Sequence, residues 1–423
     1  MSIDPSAAPD LLPAPQSSVG VRSRTSMRRL GFGILLSTAA WAVPTIGTSS
    51  ILLPAKIALI DPDQKIVVLG LITALGALSS MLSGIIFGAI SDLTRTRFGS
   101  RTPWIVTGAI LAGIFMLLLS TAGTIPLLLL WWCLFSASLN VMPLTAIIPD
   151  RVPAAKRGGI SSAYGVGVLA SASIGTVLAA QFIGDPSAGM RVFAPLVVIL
   201  PIMFVLIAPD FSNVGVPRRS TGVRGVLSSF AFPRKAPDFY WALFGRLLIT
   251  LGSNMVGTYQ LYILTDYIHA DQTTAGTIIS IGSAINFVAS IGGAAIAGPI
   301  SDRIGRRKLP VFISSLLFGA AILIPFLVPV PASMLFYFGV AGIGFGIYFS
   351  VDAALITEVL PSAEQRGKDS GILNMANTGG GVLAPALTSA IIGIGIGFAP
   401  VFAAAIILAI AGGITVLPIK SVR

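Results

Sequence analysis

Residues 88–104 read Gly88-Ala-Ile-Ser-Asp92-Leu-Thr-Arg-Thr-Arg97-Phe-Gly99-Ser-Arg101-Thr-Pro103-Trp104, a short charged hairpin between two long apolar runs. A second version, Gly298-Pro-Ile-Ser-Asp302-Arg303-Ile-Gly305-Arg306-Arg307-Lys308-Leu-Pro310, lies 210 positions later, counted Gly to Gly and Asp to Asp. That interval is about half of the 423-residue chain. The hairpin therefore marks an internal repeat.

The runs around the hairpins are too apolar for a water-soluble domain. Hydrophobic residues make up 54% of the chain and charged residues 10%, with a mean hydropathy of +0.91. A soluble chain carries roughly 25% charged residues, so most of this surface has to face lipid. A single cysteine, Cys133, excludes a disulfide framework and a cysteine metal cluster, and the lone His269 excludes a multi-histidine site. No metal and no cofactor is expected. There is no nucleotide-binding Walker loop and no Ser/His/Asp set, so enzyme chemistry is not expected either.

A membrane span needs about 20 apolar residues. Twelve such stretches are expected: 30–53, 66–91, 102–121, 125–148, 159–184, 191–208, 239–265, 272–300, 309–328, 332–356, 368–393 and 397–417. The intervening stretch 209–238 holds Arg218, Arg219, Arg224, Arg234 and Lys235 and reads as a hydrophilic linker. The expected organisation is a basic tail over 1–29 without a cleavable signal, a six-helix bundle over 30–208, the linker, a second six-helix bundle over 239–417, and a short tail over 418–423. The fold class is an all-α membrane protein of two pseudo-symmetric bundles. Repeats of this kind build transporters, with a substrate path between the halves.

Charge gives the orientation. With the N-terminus placed in the cytoplasm, the 27 basic residues fall in cytoplasmic segments except Lys56, Lys65, Arg191 and Arg246. That asymmetry follows the positive-inside rule, and it accounts for a net charge of +11 without nucleic acid. The expectation is a multi-pass protein of the plasma membrane with both termini cytoplasmic and lipid as its surroundings. A further parallel supports the repeat. Pro149-Asp150-Arg151 through Gly158 follows the fourth span, and Glu358 through Gly367 follows the tenth.

The second hairpin closely resembles the signature loop of the major facilitator superfamily, Gly-x-x-x-Asp-Arg/Lys-x-Gly-Arg/Lys-Arg/Lys, at Gly298, Asp302, Arg303, Gly305, Arg306 and Arg307. The first copy has four extra residues between Asp92 and Gly99 and carries Gly88, Arg97 and Arg101 in register. This longer form resembles the glycoside–pentoside–hexuronide cation symporters and the sucrose/proton symporters, although Ser100 stands where those families often carry a second base. The resemblance implies a twelve-helix transporter whose two hairpins act as cytoplasmic gate motifs. The plainer reading of the arginines is as topology anchors. Melibiose-type symporters hold their cation with acids of the second helix. Residues 66–91 contain none, which favours a proton or no coupling ion.

An ionisable residue inside a span is a candidate functional group by default. Asp352, in Tyr348-Phe-Ser-Val-Asp352-Ala-Ala-Leu, lies well inside the tenth span, and Asp266 lies near the outer end of the seventh. Either could bind a proton or a substrate hydroxyl, and a structural ion pair is the alternative. Arg246 either snorkels to the surface or pairs with an acid or an anionic substrate. Polar and aromatic residues at Trp41, Tyr164, Tyr259, Gln260, Asn374 and Asn377, with Thr45, Asn140, Gln181, Asn254 and Asn286, could line a sugar-sized cavity. Ordinary interhelical hydrogen bonding is the alternative for each. The expected function is secondary transport of a small hydrophilic solute, such as a sugar, by alternating access with a coupling proton. The rivals are a proton-driven drug or metabolite exporter and a non-transporting receptor, the latter disfavoured by the lack of a soluble sensory domain.

Overall fold

The structure is a computed structural model and describes residues 26–142, 152, 157–210, 212–214, 233, 236–359 and 366–420. Among these residues every regular element is helical. The first half comprises α1 (Met27–Gly47, continued by a π turn Thr48–Leu52 and by Leu53–Ile60), α2 (Lys65–Leu93), α3 (Thr102–Thr121), α4 (Ile125–Val141), α5 (Arg157–Ala180) and α6 (Pro186–Ile207). The second half comprises α7 (Pro237–Gly257, resuming as Gln260–Tyr262 and a π turn Ile263–Tyr267), α8 (Gln272–Ile304), α9 (Lys308–Leu327), α10 (Pro331–Val359), α11 (Arg366–Ile391, followed by a π turn Ile392–Ile396) and α12 (Ala399–Ile414). Nine described helices are long and apolar enough to cross a membrane, and α4 and α12 are shorter apolar helices. The twelfth, α7, is interrupted at Thr258 and Tyr259.

These stretches are helical because a chain in hydrocarbon has to satisfy each backbone N–H and C=O internally. Their ends are fixed by local chemistry. Asp185 accepts from Ala188 N at 2.9 Å and starts α6. Asp271 accepts from Thr273 N and Thr274 N and starts α8. Gly305 ends α8 in the left-handed region, φ +62°, and Gly99 turns the first hairpin at φ +88°. Both conformations suit glycine because it has no Cβ.

The helix edges differ from the sequence expectation most in α1, which runs on to Ile60 rather than stopping near residue 53. Lys56 is then inside the helix, 5% exposed. Its ammonium donates to Ser120 O and to Ser187 Oγ at 2.9 Å, which supplies the partners a buried cation needs.

The two halves pack by one pattern. In the first, α1 packs on α5 and α6, α2 on α4, and α3 on α4 and α6. In the second, α7 packs on α11 and α12, α8 on α10, and α9 on α10 and α12. The halves meet along α2 with α11 and α5 with α8, pairings that exchange under the same shift of six helices. Large apolar side chains such as Leu206, Val288, Ile296, Phe336 and Ile407 stand exposed on the helices, as lipid-facing positions do.

Candidate functional site

A cavity of about 580 Å³ lies between the halves. Its walls come from α1, α2, α4 and α5 of one half and α7, α8, α10 and α11 of the other, so α3, α6, α9 and α12 serve as outer buttresses. The lining is hydroxyl and amide with aromatic faces: Asn254, Gln260 and Asn286 supply amides, and Trp132, Tyr337 and Phe338 supply rings. Among the described residues no charged side chain lines it.

The cavity is closed on the face away from the hairpins. Lys65, the first residue of α2, pairs with Asp266 on α7 at 2.8 Å, and its Nζ lies 5.2 Å from the centre of the Tyr262 ring. The Tyr262 hydroxyl donates to Pro54 O on α1 at 2.8 Å. The Tyr259 hydroxyl bonds Ser389 Oγ at 2.9 Å and reaches Pro385 O at 3.1 Å and Ile66 O at 3.4 Å. Each of these three side chains has a partner on the opposite half. Backbone proximity allows this closure. A Cβ at Gly70 of α2 would meet Ser389 and Pro385 O of α11. Gly276 of α8 lies near Ala180 O at the end of α5 and Ile183 just beyond it.

A second charged site lies toward the hairpin end. Arg246 on α7 is 9% exposed and Asp352 on α10 is 8% exposed. Arg246 Nη1 stands 3.3 Å from Asp352 Oδ2, and Arg246 Nε donates to Asn377 Oδ1 on α11 at 2.8 Å. Thr250, one turn further along α7, donates to Arg246 O at 2.7 Å and to Asn377 Oδ1 at 3.2 Å. Asn254, another turn on, donates to Thr250 O at 2.8 Å and lines the cavity. One face of α7 thus links the ion pair to the cavity wall.

The residues singled out from the sequence separate into groups. Gln260 faces the cavity. Its neighbour Tyr259 does not; its side chain is fully buried in the closure. Asn377 serves Arg246 rather than the cavity wall. Trp41 and Tyr164 pack against a separate apolar cluster with Leu30, Ile34 and Phe204. Asp266 belongs to the closing ion pair. Asn254, Asn286 and Thr45 line the cavity. Asn140, by contrast, donates to Ser80 Oγ between α4 and α2. The side chains of Asp92, Asp302, Asn374 and Glu358 lie outside the described part, as do the tail 1–25, most of the linker and most of both loops after the fourth and tenth helices.

The first hairpin is held from within its own half. Asp210, just past α6, accepts from Arg101 N at 3.3 Å. Asn213 accepts from Thr96 N at 2.9 Å and donates to Thr94 O at 2.9 Å. Arg101 Nη1 donates to Ser91 Oγ, and Arg97 stacks on Phe98 at 4.8 Å. In the second hairpin Arg303 and Arg306 are exposed, and Lys308 donates to Leu417 O at 3.3 Å. Sequence reasoning missed Lys65, Asp210 and Asn213. An acid and an amide three residues apart, shortly after the end of α6, were the available signal for the latter two.

Twelve helices in two matching bundles around a closed-ended polar cavity have the architecture of a membrane transporter. The sequence bears this out. A profile of the Major Facilitator Superfamily matches residues 30–265 and 242–422, and the chain belongs to that superfamily. It is a multi-pass membrane transporter and not an enzyme. Among solved structures, the nucleoside transporter NupG is similar at a TM-score of 0.72 and 14% identity, over 92% of this chain and 100% of that one. A bacterial homolog of the human lysosomal transporter Spinster, inward-facing and unoccupied, is similar at 0.64 and 16%, over 93% and 95%. No curated protein matches the chain. Among the described residues no cluster of three His, Cys, Asp or Glu side chains could hold a metal ion.

Proposed function

We propose that this transporter moves a small hydrophilic solute, of which a sugar is the leading candidate, across the plasma membrane by alternating access with a proton as coupling ion. The buried Arg246–Asp352 pair carries the reading. The pair is buried among helices, so protonation of Asp352 would remove the charge that Arg246 faces and free Arg246 to move. The face of α7 running through Thr250 to Asn254 would carry that movement to the cavity. The polar lining favours a hydrophilic solute over the apolar cargo of a drug exporter. The hairpin pattern and the acid-free stretch 66–91 favour kinship with proton-linked members of the sugar-symporter families over sodium-linked ones.

The charge asymmetry favours the hairpin face as cytoplasmic. In that frame the closure at Lys65–Asp266 is external, and the conformation is the one that takes or releases solute from inside.

Reconstitution in liposomes tests the reading. An imposed pH gradient drives uptake of labelled sugars or related solutes by the wild type. Asp352→Asn abolishes accumulation above equilibrium while solute exchange persists. Unchanged accumulation in that variant would sink the proton role.

A further inference from the structure

Helices α1 and α7 occupy equivalent places in the two halves, and both lose their α-helical regularity at the same depth. In α1 the irregularity is the π turn Thr48–Leu52. In α7 it is the break at Thr258 and Tyr259 and the short resumption Gln260–Tyr262. The two stretches are 210 positions apart, the same interval that separates the hairpins. In α1 the turn is favoured by Pro54, which has no N–H to donate to Ser50 O, whereas α7 has no proline near its break; Ser50 and Gln260 are counterparts in this register. Ser49, Ser50, Thr258 and Gln260 all line the cavity. Irregular turns inside helices recur at functional sites, and interrupted helices build the binding sites of transporters.

Gln260 differs from the other amides of the cavity. Asn254 and Asn286 spend an amide hydrogen on helix carbonyls, Thr250 O and Phe338 O. Gln260 faces the cavity, and its amide makes no hydrogen bond to another described residue. Its polar atoms open onto the cavity, so the whole amide is available to a ligand that displaces cavity water.

Resting on the transporter reading above, we propose that the solute is held between the two irregular turns, with the Gln260 amide as its selecting group, and that it is uncharged. An amide offers an acceptor and two donors side by side. The matching ligand edge presents a donor next to an acceptor, as vicinal hydroxyls or a carboxamide edge do. The walls disfavour charge. A carboxylate, phosphate or ammonium entering this cavity would shed water and meet no counter-charge among the described lining residues. The charged groups Arg246, Asp352, Lys65 and Asp266 all stand outside the lining.

The test is ligand-dependent thermal stabilisation and competition with the full chain in detergent. The panel contains hexoses, pentoses and nucleosides beside their phosphorylated, uronate and amino counterparts. Stabilisation is expected from neutral members only. Gln260→Ala weakens the best neutral ligand about tenfold, the scale of one or two lost hydrogen bonds. Gln260→Met, close in volume and apolar, does the same with the unliganded melting temperature preserved. Gln260→Glu shifts preference toward the amino counterpart. The proposal is overturned if a charged member binds as tightly as its neutral parent, if no neutral member binds, or if both Gln260→Ala and Gln260→Met keep wild-type affinity. None of these readouts uses a pH gradient, so failure here is distinct from failure of the Asp352 test.

Discussion

Lys65 Nζ of α2 lies 2.8 Å from Asp266 Oδ1 of α7, and this contact ties the first half of the chain to the second. The two side chains are 21% and 26% exposed, so solvent screens the attraction and its worth is about 1 kcal/mol. Lys65→Ala or Asp266→Ala therefore shifts the balance toward opening of this face by roughly fivefold. The charge-reversed double variant, Lys65→Asp with Asp266→Lys, moves it back. Spin-label distances between positions 63 and 269 on the same face read the populations.

Arg246 and Asp352 respond asymmetrically. Arg246→Ala leaves a buried carboxylate without its partner and lowers stability by about 3–5 kcal/mol. Asp352→Asn combined with Arg246→Gln removes both charges and restores most of that loss. Thermal unfolding of the two variants in detergent is the check. Similar melting temperatures would mean that the pair is solvated rather than buried.

The glycines of α2 and α8 divide by depth. At Gly70 a Cβ would collide with Ser389 and Pro385 O of the opposite half. Gly88 and Gly298, at the hairpin ends of the same helices, have nothing within 4 Å of that position. Gly70→Val therefore wedges the closed face open. Gly88→Val or Gly298→Val is accommodated in the present conformation and obstructs its counterpart, in which the hairpin ends have to approach. Accessibility of single cysteines to a membrane-impermeant thiol reagent on either side moves in opposite directions for the two sets.

Asp271 starts α8 from the exposed loop before it. Hydrogen bonds from the Thr273 hydroxyl and from Thr274 hold its carboxyl well below the ordinary value of 3.8. A carboxyl lowered on folding contributes stability that is present above 3.8 and lost as pH falls through the lower folded value. Amide exchange over 272–276 is therefore insensitive to pH between 5 and 8 once the intrinsic rate is allowed for. Asp271→Ala speeds it throughout that range.

The span pattern and the repeat were legible because both rest on composition and spacing. A run of apolar residues and two copies of a charged hairpin need no tertiary knowledge. The site was legible only in part. Tyr259 and Gln260 read as one binding pair, yet the break in α7 turns the tyrosine into the closure and the glutamine into the cavity. No proline announces that break. Asp266 read as a lone intramembrane acid because its partner Lys65 is 201 positions away. Arg246 and Asp352 were each visible as costly charges in lipid, but no local pattern couples α7 to α10. The interval of 210 would have found the matched irregular turns only for a reader who already knew where one of them lay.

The 21 residues from Arg246 to Asp266 hold the ion-paired arginine, the selecting amide and the latch carboxylate on one element, with the break at Thr258 and Tyr259 between the first and the other two. Their angular relationship is set by residue count together with that break. A single insertion in the regular part of α7 would rotate Arg246 against the other two by about 100°. This stretch can exchange many of its side chains in evolution, but its length is as constrained as its chemistry.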